Sequence, residues 1–299
     1  MADGAELPEQ WLDGGAMALA QKKFETLRVA DTHGVVHVTL DRPARRNAMT
    51  MAMARELRQL LQAAQSTPQV RAIVLRGAGG HFCAGTDADD LQAARARAAR
   101  TDDDRSRRIE PSSDPLASVE AYFGQLCLAW SGTGIPTVAV LEGHIAGAGF
   151  GLACVADLVL AADTACFSLE ETARGVIPSQ VLPYLVQRVG YAQARRLAVC
   201  GGTISTAVAL QTGLVHEVHP AGALEAALDA ALAQILRGAP GAIPSCKSRL
   251  AQSRNATPSV MVSAAAEAFS RAAAGAEGRE GAAALAEQRL PRWATVPAA

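Results

Sequence analysis

The 299-residue chain has few aromatic side chains, no excess of charge of either sign and no long apolar run. Phe, Trp and Tyr together make up 4% of the residues, so core packing depends on small side chains and close backbone approach. Lys and Arg number 28 against 29 Asp and Glu, which leaves no cationic field of the kind that binds nucleic acid or an anionic membrane. We therefore expect neither a nucleic-acid partner nor a membrane partner.

The longest apolar runs, 135–141 and 152–162, stop at glycine or acidic residues well short of a membrane span. Residues 1–25 are polar and acidic and resemble a flexible leader, with no basic segment ahead of an apolar stretch, so we expect no secretory signal. Hydrophobic residues reach 49% and charged residues 19%, which is enough apolar material for a sizeable core. The sequence predicts a folded cytoplasmic protein.

The cysteines follow no pattern that indicates a disulfide or metal-binding function. Six cysteines occur, none in a CxxC pair and none with a histidine at zinc-like spacing, at positions 83, 127, 154, 166, 200 and 246. In a chain of this length such cysteines are typically plain buried thiols. We expect neither a disulfide framework nor a metal site.

Strand and helix patterns alternate along most of the chain. Branched residues predict strands over 34–40, 71–76, 135–141 and 157–161. Thr50 is a plausible helix cap ahead of an amphipathic stretch with one apolar face, which comprises Met53, Leu57, Leu60 and Leu61. Small residues predict a tightly packing helix over 147–156. This alternation favours an α/β fold, with a core over 26–222 and a helical region over 223–299.

Residues 92–118 interrupt the alternation. They are rich in Arg and Asp, and prolines at 111 and 115 break helical patterns. We expect an exposed surface loop here. The alternative is a lid or pocket wall, since long loops inside compact domains often carry function.

Two glycine-rich turns follow predicted strands, HFCAGTD at 81–87 and GHIAGAGFG at 143–151. Turns of small residues leave backbone N–H groups free to point at a ligand, and two of them together can bind an oxyanion or a phosphate. The alternative is close packing between helix and sheet. A dinucleotide fingerprint is disfavoured, because the glycines at 143, 147, 149 and 151 do not have the G-x-G-x-x-G spacing.

Five segments in order, spanning roughly residues 27–220, resemble motifs of the enoyl-CoA hydratase/isomerase (crotonase) superfamily. The segments are RPARRNAM at 42–49, FCAGTDADDL at 82–91, PTVAVLEGHIAGAGFGLACVAD at 136–157, FSLEETARGVIP at 167–178 and AVALQTGLVHEV at 207–218. The resemblance implies a crotonase-like spiral of ββα units with a helical C-terminal subdomain over 223–299. It also implies that this region joins chains into homotrimers, or hexamers built as dimers of trimers.

The resemblance implies an acyl-CoA substrate and no tightly bound cofactor, coenzyme A being part of the thioester substrate. Family members stabilise a thioester enolate with two backbone N–H groups, which here belong to Thr86 and Ala148. The coenzyme A contacts would come from residues near the first turn and the RPARRNAM segment, namely Arg45 or Arg46, Ala48, Ala84, Thr86 and Asp87.

The carboxylates depart from the usual hydratase pattern. Typical hydratases of the family carry two catalytic glutamates; the second aligns with Glu171, whereas the first aligns with Gly151, which has no titratable group. Three functions therefore remain open: a hydratase using Glu171 alone, an isomerase moving a proton between C2 and C4, and an acyl-CoA or acyl-carrier binder without turnover. PSQVLP at 178–183 resembles hydratases of branched acyl-CoAs, so we expect reversible hydration of a 2-enoyl-CoA with Glu171 as proton donor and acceptor.

Overall fold

A computed structural model describes residues 22–99 and 113–294 of the chain. The predicted leader falls on residues 1–25, and its first 21 residues lie outside the described part, as do 100–112 and 295–299. All statements below concern the described residues.

The centre of the fold is a six-stranded sheet in the order β1-β2-β3-β4-β6-β9. Its strands are β1 (Leu27–Thr32), β2 (Val35–Leu40), β3 (Ala72–Gly77), β4 (Thr137–Leu141), β6 (Leu158–Ala162) and β9 (Glu217–His219). The first two strands form an antiparallel hairpin, and every later pairing in this sheet is parallel. The carboxyl ends of β3 and β4 therefore open toward the same edge, and both glycine-rich turns leave the sheet there.

A smaller sheet pairs β5 (His144–Ala146), β7 (Cys166–Ser168) and β8 (Thr203–Ile204) in the order β5-β7-β8. After β4 the chain forms β5 in this second sheet before α4 begins, and after β6 it forms β7 in the same sheet before the next helix. The repeated strand–strand–helix order confirms the predicted α/β spiral of ββα units.

Ten α-helices connect and follow the strands in the described part of the chain. They are α1 (Met51–Gln65), α2 (Ala88–Ala98), α3 (Pro115–Gly132), α4 (Ala148–Val155), α5 (Leu182–Cys200), α6 (Thr206–Gln211), α7 (Leu224–Leu236), α8 (Ala242–Ser253), α9 (Pro258–Ala274) and α10 (Ala276–Ala286). The hydroxyl of Thr50 caps α1 by accepting from the Met53 amide at 3.0 Å, as the sequence predicts.

Both faces of the central sheet are buried, as parallel sheets require. On one face, α1, α3 and α4 cover alternate strand residues such as Val36, Leu75 and Ala139. On the other face, Leu224, Leu228 and Leu232 of α7 pack against the intervening residues. Beyond β9 the chain is helical, and α8 and α9 contain no buried residue.

The expectation of an exposed loop over residues 92–118 is wrong at both ends. Helix α2 continues to Ala98, and Asp87 caps its first turn by accepting from the amides of Asp89 and Asp90. Pro115 begins α3 at a position where proline is tolerated, with Asp114 as its cap. Proline here starts a helix instead of ending one.

Candidate active site

The first glycine-rich turn is held in a parallel bridge between Met49 and Thr86. The Met49 amide donates to the Gly85 carbonyl at 2.7 Å, and the Asp87 amide donates to the Met49 carbonyl at 2.9 Å. These bonds use the groups on either side of Thr86. The geometry of a parallel pairing therefore points the Thr86 amide away from Met49.

The second turn ends at the N-terminus of α4. Gly147 has φ +47°, a conformation that side chains rarely adopt, and it allows the chain to pass from β5 directly into the helix. Ala148 is the first residue of α4 and is 4% exposed. The amides of a first helical turn have no intrahelical acceptor, so the Ala148 N–H is available to a ligand.

The two turns lie against each other. A Cβ placed on Gly147 would lie 3.2 Å from the Gly85 Cα and 3.8 Å from the Thr86 nitrogen. The structure thus brings together Thr86 and Ala148, the two residues that the sequence predicts to supply amide donors. Two N–H groups at such a junction form a site for a developing negative charge on oxygen.

Glu171 places a carboxyl group beside this junction. It follows β7 at the start of a 3-10 turn, and its Oε1 lies 3.0 Å from the Cβ position of Gly147. The buried Oε2 has no hydrogen-bond partner among the described residues. Burial raises the pKa of Glu171 above its ordinary value, against smaller opposing effects of its own backbone N–H and of Arg174. A carboxyl with a raised pKa and an unused oxygen is suited to carrying protons near neutrality.

The remaining predicted residues surround the first turn. The Asp87 side chain is 4% exposed and receives Arg42 Nη1 at 2.8 Å, so its contribution to a ligand is restricted to the backbone. Hydrogen bonding to Arg42 and to the Asp89 and Asp90 amides keeps the pKa of Asp87 below its ordinary value despite burial. Ala84 and Ala48 are half-buried, and the Ala84 amide donates to the Arg46 carbonyl at 3.0 Å.

Arg45 is exposed on the same side of the molecule. Its guanidinium pairs with Asp89 at 2.6 Å, and the two side chains are 57% and 65% exposed. An ion pair this exposed contributes little free energy, so the guanidinium can exchange its partner for a phosphate at low cost.

Asn47 was not singled out by the sequence, and it is the residue that ties the first turn to its neighbours. It is fully buried with φ +55°, and its Nδ2 donates to the carbonyls of Ala78 and His81 at 2.8 and 2.6 Å. Its Oδ1 accepts from the Arg42 amide at 2.9 Å. An asparagine followed by alanine at the end of a charged segment is the sequence signal for this role.

Position 151 holds no carboxylate, and the structure shows what occupies that space. A Cβ on Gly151 would lie 2.9 Å from Phe123 Cζ and 3.2 Å from Val181 Cγ2. The aromatic ring of α3 therefore fills the volume that a side chain at position 151 requires.

Glu120 was also missed by the sequence. It is half-buried on α3 and is the only charged residue among the eighteen of that helix. Burial raises its pKa above the ordinary value, and the charge of Glu171 raises it further, while the Ser179 hydroxyl lowers it. A lone carboxylate in an otherwise apolar helix was the available signal.

The comparisons with known proteins agree with this geometry. The model of the enoyl-CoA hydratase/isomerase family matches residues 30–295. The chain belongs to the enoyl-CoA hydratase/isomerase family and is an enzyme of that class.

Individual relatives carry both of the family's reaction names. The chain is 30% identical to 2,3-dehydroadipyl-CoA hydratase of Escherichia coli (strain K12), over 89% of this chain and 97% of the relative. It is 28% identical to the peroxisomal Delta(3,5)-Delta(2,4)-dienoyl-CoA isomerase of Arabidopsis thaliana, over 75% and 78%. The structure of Pseudomonas aeruginosa AtuE is similar, with TM-score 0.84 and 41% identity over 91% of this chain and 100% of that chain.

Within residues 22–99 and 113–294, no helix is both long and apolar enough to span a membrane.

Proposed function

We propose that the protein catalyses the reversible addition of water to the double bond of a 2-enoyl-CoA thioester. The observation that carries this proposal is the position of the Glu171 carboxyl, whose Oε1 lies 3.0 Å from the Cβ position of Gly147 at the junction of the two turns. A thioester oxygen bound at that junction has its C2 carbon beside Glu171.

In this proposal the amides of Thr86 and Ala148 stabilise the enolate that forms when water attacks C3. Glu171 delivers a proton to C2 in the hydration direction and removes it in the dehydration direction. The unpartnered Oε2 and the raised pKa of Glu171 support this role, since a protonated carboxyl near neutrality can serve as a general acid.

Coenzyme A would lie along the first turn, with its adenine against the backbone of Ala48, Ala84, Thr86 and Asp87. Arg45 would contact its phosphates after releasing Asp89, an exchange that their exposed pairing permits. The thioester is the substrate, and the chemistry proposed here needs no other bound group.

A branched acyl group is the preferred substrate class. The support is the PSQVLP segment, which resembles hydratases of branched acyl-CoAs and packs its Gln180 side chain against Gly124 of α3. The name of the Escherichia coli relative supports hydration of an enoyl-CoA in general.

Isomerisation is the second candidate, favoured by the glycine at position 151 and by the name of the Arabidopsis relative. In that reaction Glu171 would move a proton between C2 and C4 without water. An acyl-CoA or acyl-carrier binder without turnover is the third.

The test follows absorbance of the conjugated thioester with crotonyl-CoA, a 3-methyl-branched glutaconyl-type CoA and a 3-enoyl-CoA. We expect loss of signal with the 2-enoyl substrates, and a fall of about 100- to 10,000-fold in turnover for Glu171→Gln. Glu170→Gln is the matched control, because Glu170 is the neighbouring carboxylate and pairs with Arg174 in solvent. Signal gain from the 3-enoyl substrate alone would establish the isomerase, and silence with retained CoA binding would establish the binder.

We also propose a homotrimer, or a hexamer made from two trimers. The support is a set of exposed apolar side chains on the C-terminal helices, Leu250, Val260, Val262, Phe269 and Leu285. Light scattering of the purified protein tests this assembly.

A further inference from the structure

The Glu120 carboxyl lies in surroundings that destabilise its charged form. It is half-buried in a helix that is otherwise uncharged, and no Lys or Arg of the described residues forms an ion pair with it. Burying a carboxyl group without a cation destabilises a fold. A carboxyl group in this position at the edge of a cavity indicates a role in catalysis.

The packing of α3 fixes the direction in which Glu120 faces. Positions 120, 123, 124 and 127 share one strip of the helix, since residues three, four and seven apart lie on the same side. Phe123 on this strip covers Gly151 of α4, and Gly124 contacts the Gln180 side chain. Glu120 lies one turn earlier on the same strip, where the nearby Ser179 hydroxyl lowers the pKa of its carboxyl.

The same strip borders a small cavity beside the first turn. Glu120 and Phe123 line this cavity together with Met49 and Thr86. Its volume of about 10 Å³ is enough for about one water molecule, so a water held there would lie between Glu120 and the turn that carries the Thr86 amide. Asp90 also borders the cavity, but its carboxylate already accepts from the Met51 amide at 2.7 Å.

We propose that Glu120 is the second catalytic carboxyl of this enzyme: it binds and deprotonates the water that attacks C3, replacing a side chain that position 151 lacks. This inference rests on the proposed hydration. It assigns the two proton transfers to different carboxyls: Glu171 exchanges the proton at C2, and Glu120 takes the proton from water.

The proton and electron balance is complete within the pair. Ionised Glu120 takes a proton from water as the water oxygen bonds to C3, and the C2–C3 π electrons form the enolate held by Thr86 and Ala148. Protonated Glu171 then gives its proton to C2. The pair ends with the proton on Glu120 in place of Glu171, and transfer of that proton from Glu120 to Glu171, directly or through solvent, restores the starting state.

The two carboxyls are electrostatically coupled. Burial raises the pKa of both carboxyls, and the charge of Glu171 raises the pKa of Glu120 further, so the pair favours a single shared proton. The charged or titratable groups around it are Arg174 and Glu170 beside Glu171, with Cys127, the Ser179 hydroxyl and, on the same cavity, Asp90 beside Glu120. The pair acts while it holds one proton, so turnover should be bell-shaped in pH, rising as the pair loses its first proton and falling as it loses its second.

The experiment compares two reactions of the full-length protein. The first is crotonyl-CoA hydration, and the second is deuterium exchange at C2 of butyryl-CoA in D2O, which has no double bond to hydrate. Glu120→Gln should lower hydration by about 100-fold or more and leave C2 exchange within about threefold of wild type. Glu171→Gln should abolish both, and Glu170→Gln should change neither.

A second variant tests the pH dependence of kcat while both carboxyls remain in place. Ser179→Ala deletes the hydroxyl that lowers the pKa of Glu120, so the acid limb of kcat should move to higher pH. A purely structural role for Glu120 predicts no such movement.

Three results would overturn the inference: hydration by Glu120→Gln within about threefold of wild type, equal loss of hydration and exchange in that variant, or an unmoved acid limb in Ser179→Ala. Absence of hydration by the wild-type protein on every 2-enoyl substrate would contradict the proposed function itself. Hydration that survives Glu120→Gln contradicts only the role given to Glu120.

Discussion

The two sides of the candidate site are built in different ways. On the thioester side, the working groups are backbone amides of two turns, held by main-chain bonds and by the buried Asn47 side chain. On the acyl side, the surface consists of side chains from α3 and the 178–181 segment, among them Glu120 and Phe123. The first side recognises what all thioesters share, whereas the second side sets which acyl group and which proton transfer are possible.

The largest effect is expected on the thioester side, from Gly147→Ala. The new methyl group would lie 3.0 Å from Glu171 Oε1 and 3.2 Å from the Gly85 Cα, at a φ that alanine rarely adopts. The turns must separate, and loss of one oxyanion donor costs about 100- to 1000-fold in kcat. Steady-state kinetics on a 2-enoyl-CoA measure this.

Gly213→Ala is the matched control, because Gly213 also has a positive φ, +76°, yet the nearest atom to its added Cβ is 3.9 Å away. Equal losses in the two variants would mean that backbone strain, and not separation of the turns, explains the result.

A smaller effect is expected on the acyl side, from Gly151→Ala. Its methyl group would lie 2.9 Å from Phe123 Cζ, and overpacking of this kind costs about 1–3 kcal/mol of folding free energy. Phe123→Leu should relieve the contact, so the double variant should be more stable than the sum of the single changes predicts. Chemical denaturation of the four proteins measures the coupling.

Gly222→Ala provides the reference for a glycine substitution without contacts, since no atom lies within 4 Å of its added Cβ. Strict additivity between Gly151→Ala and Phe123→Leu would show that the ring does not occupy the space at position 151.

The smallest expected effect is a change with pH in the folding stability contributed by Glu171. The folded protein holds the pKa of Glu171 above its ordinary value of 4.5, so the unfolded chain ionises first as pH rises. The stability contributed by the neutral carboxyl is present below that value and is lost as pH rises through the raised pKa. Glu171→Gln cannot ionise, and its Tm should therefore exceed that of wild type increasingly from about pH 4.5 upward.

Melting curves across this range check the sign. Glu170→Gln serves again as the control, because it removes the neighbouring carboxylate, which is paired with Arg174 in solvent. A Tm difference that stays constant with pH would contradict burial of Glu171 as the cause of its raised pKa.

Much of the fold follows from local patterns. Strands β2, β3, β4 and β6 begin within two residues of the predicted positions, and all four apolar residues predicted to face the core from α1 are buried. Strands β1, β5, β7, β8 and β9 were not predicted; the last four have only two or three residues, which carry no periodicity. The error over 92–118 came from charge composition, because an exposed helix such as α2 is as polar as a loop.

What the sequence determined by itself is the backbone part of the site: two glycine-rich turns, their order after parallel strands, and Glu171 in a recognisable segment. These features are local, since a turn requires particular residue types at fixed spacing. The tertiary structure alone decided that Phe123 fills the space at Gly151 and that Glu120 faces the cavity. Those contacts depend on how α3 lies against α4 and the 178–181 segment, and helix packing joins residues that no local pattern connects.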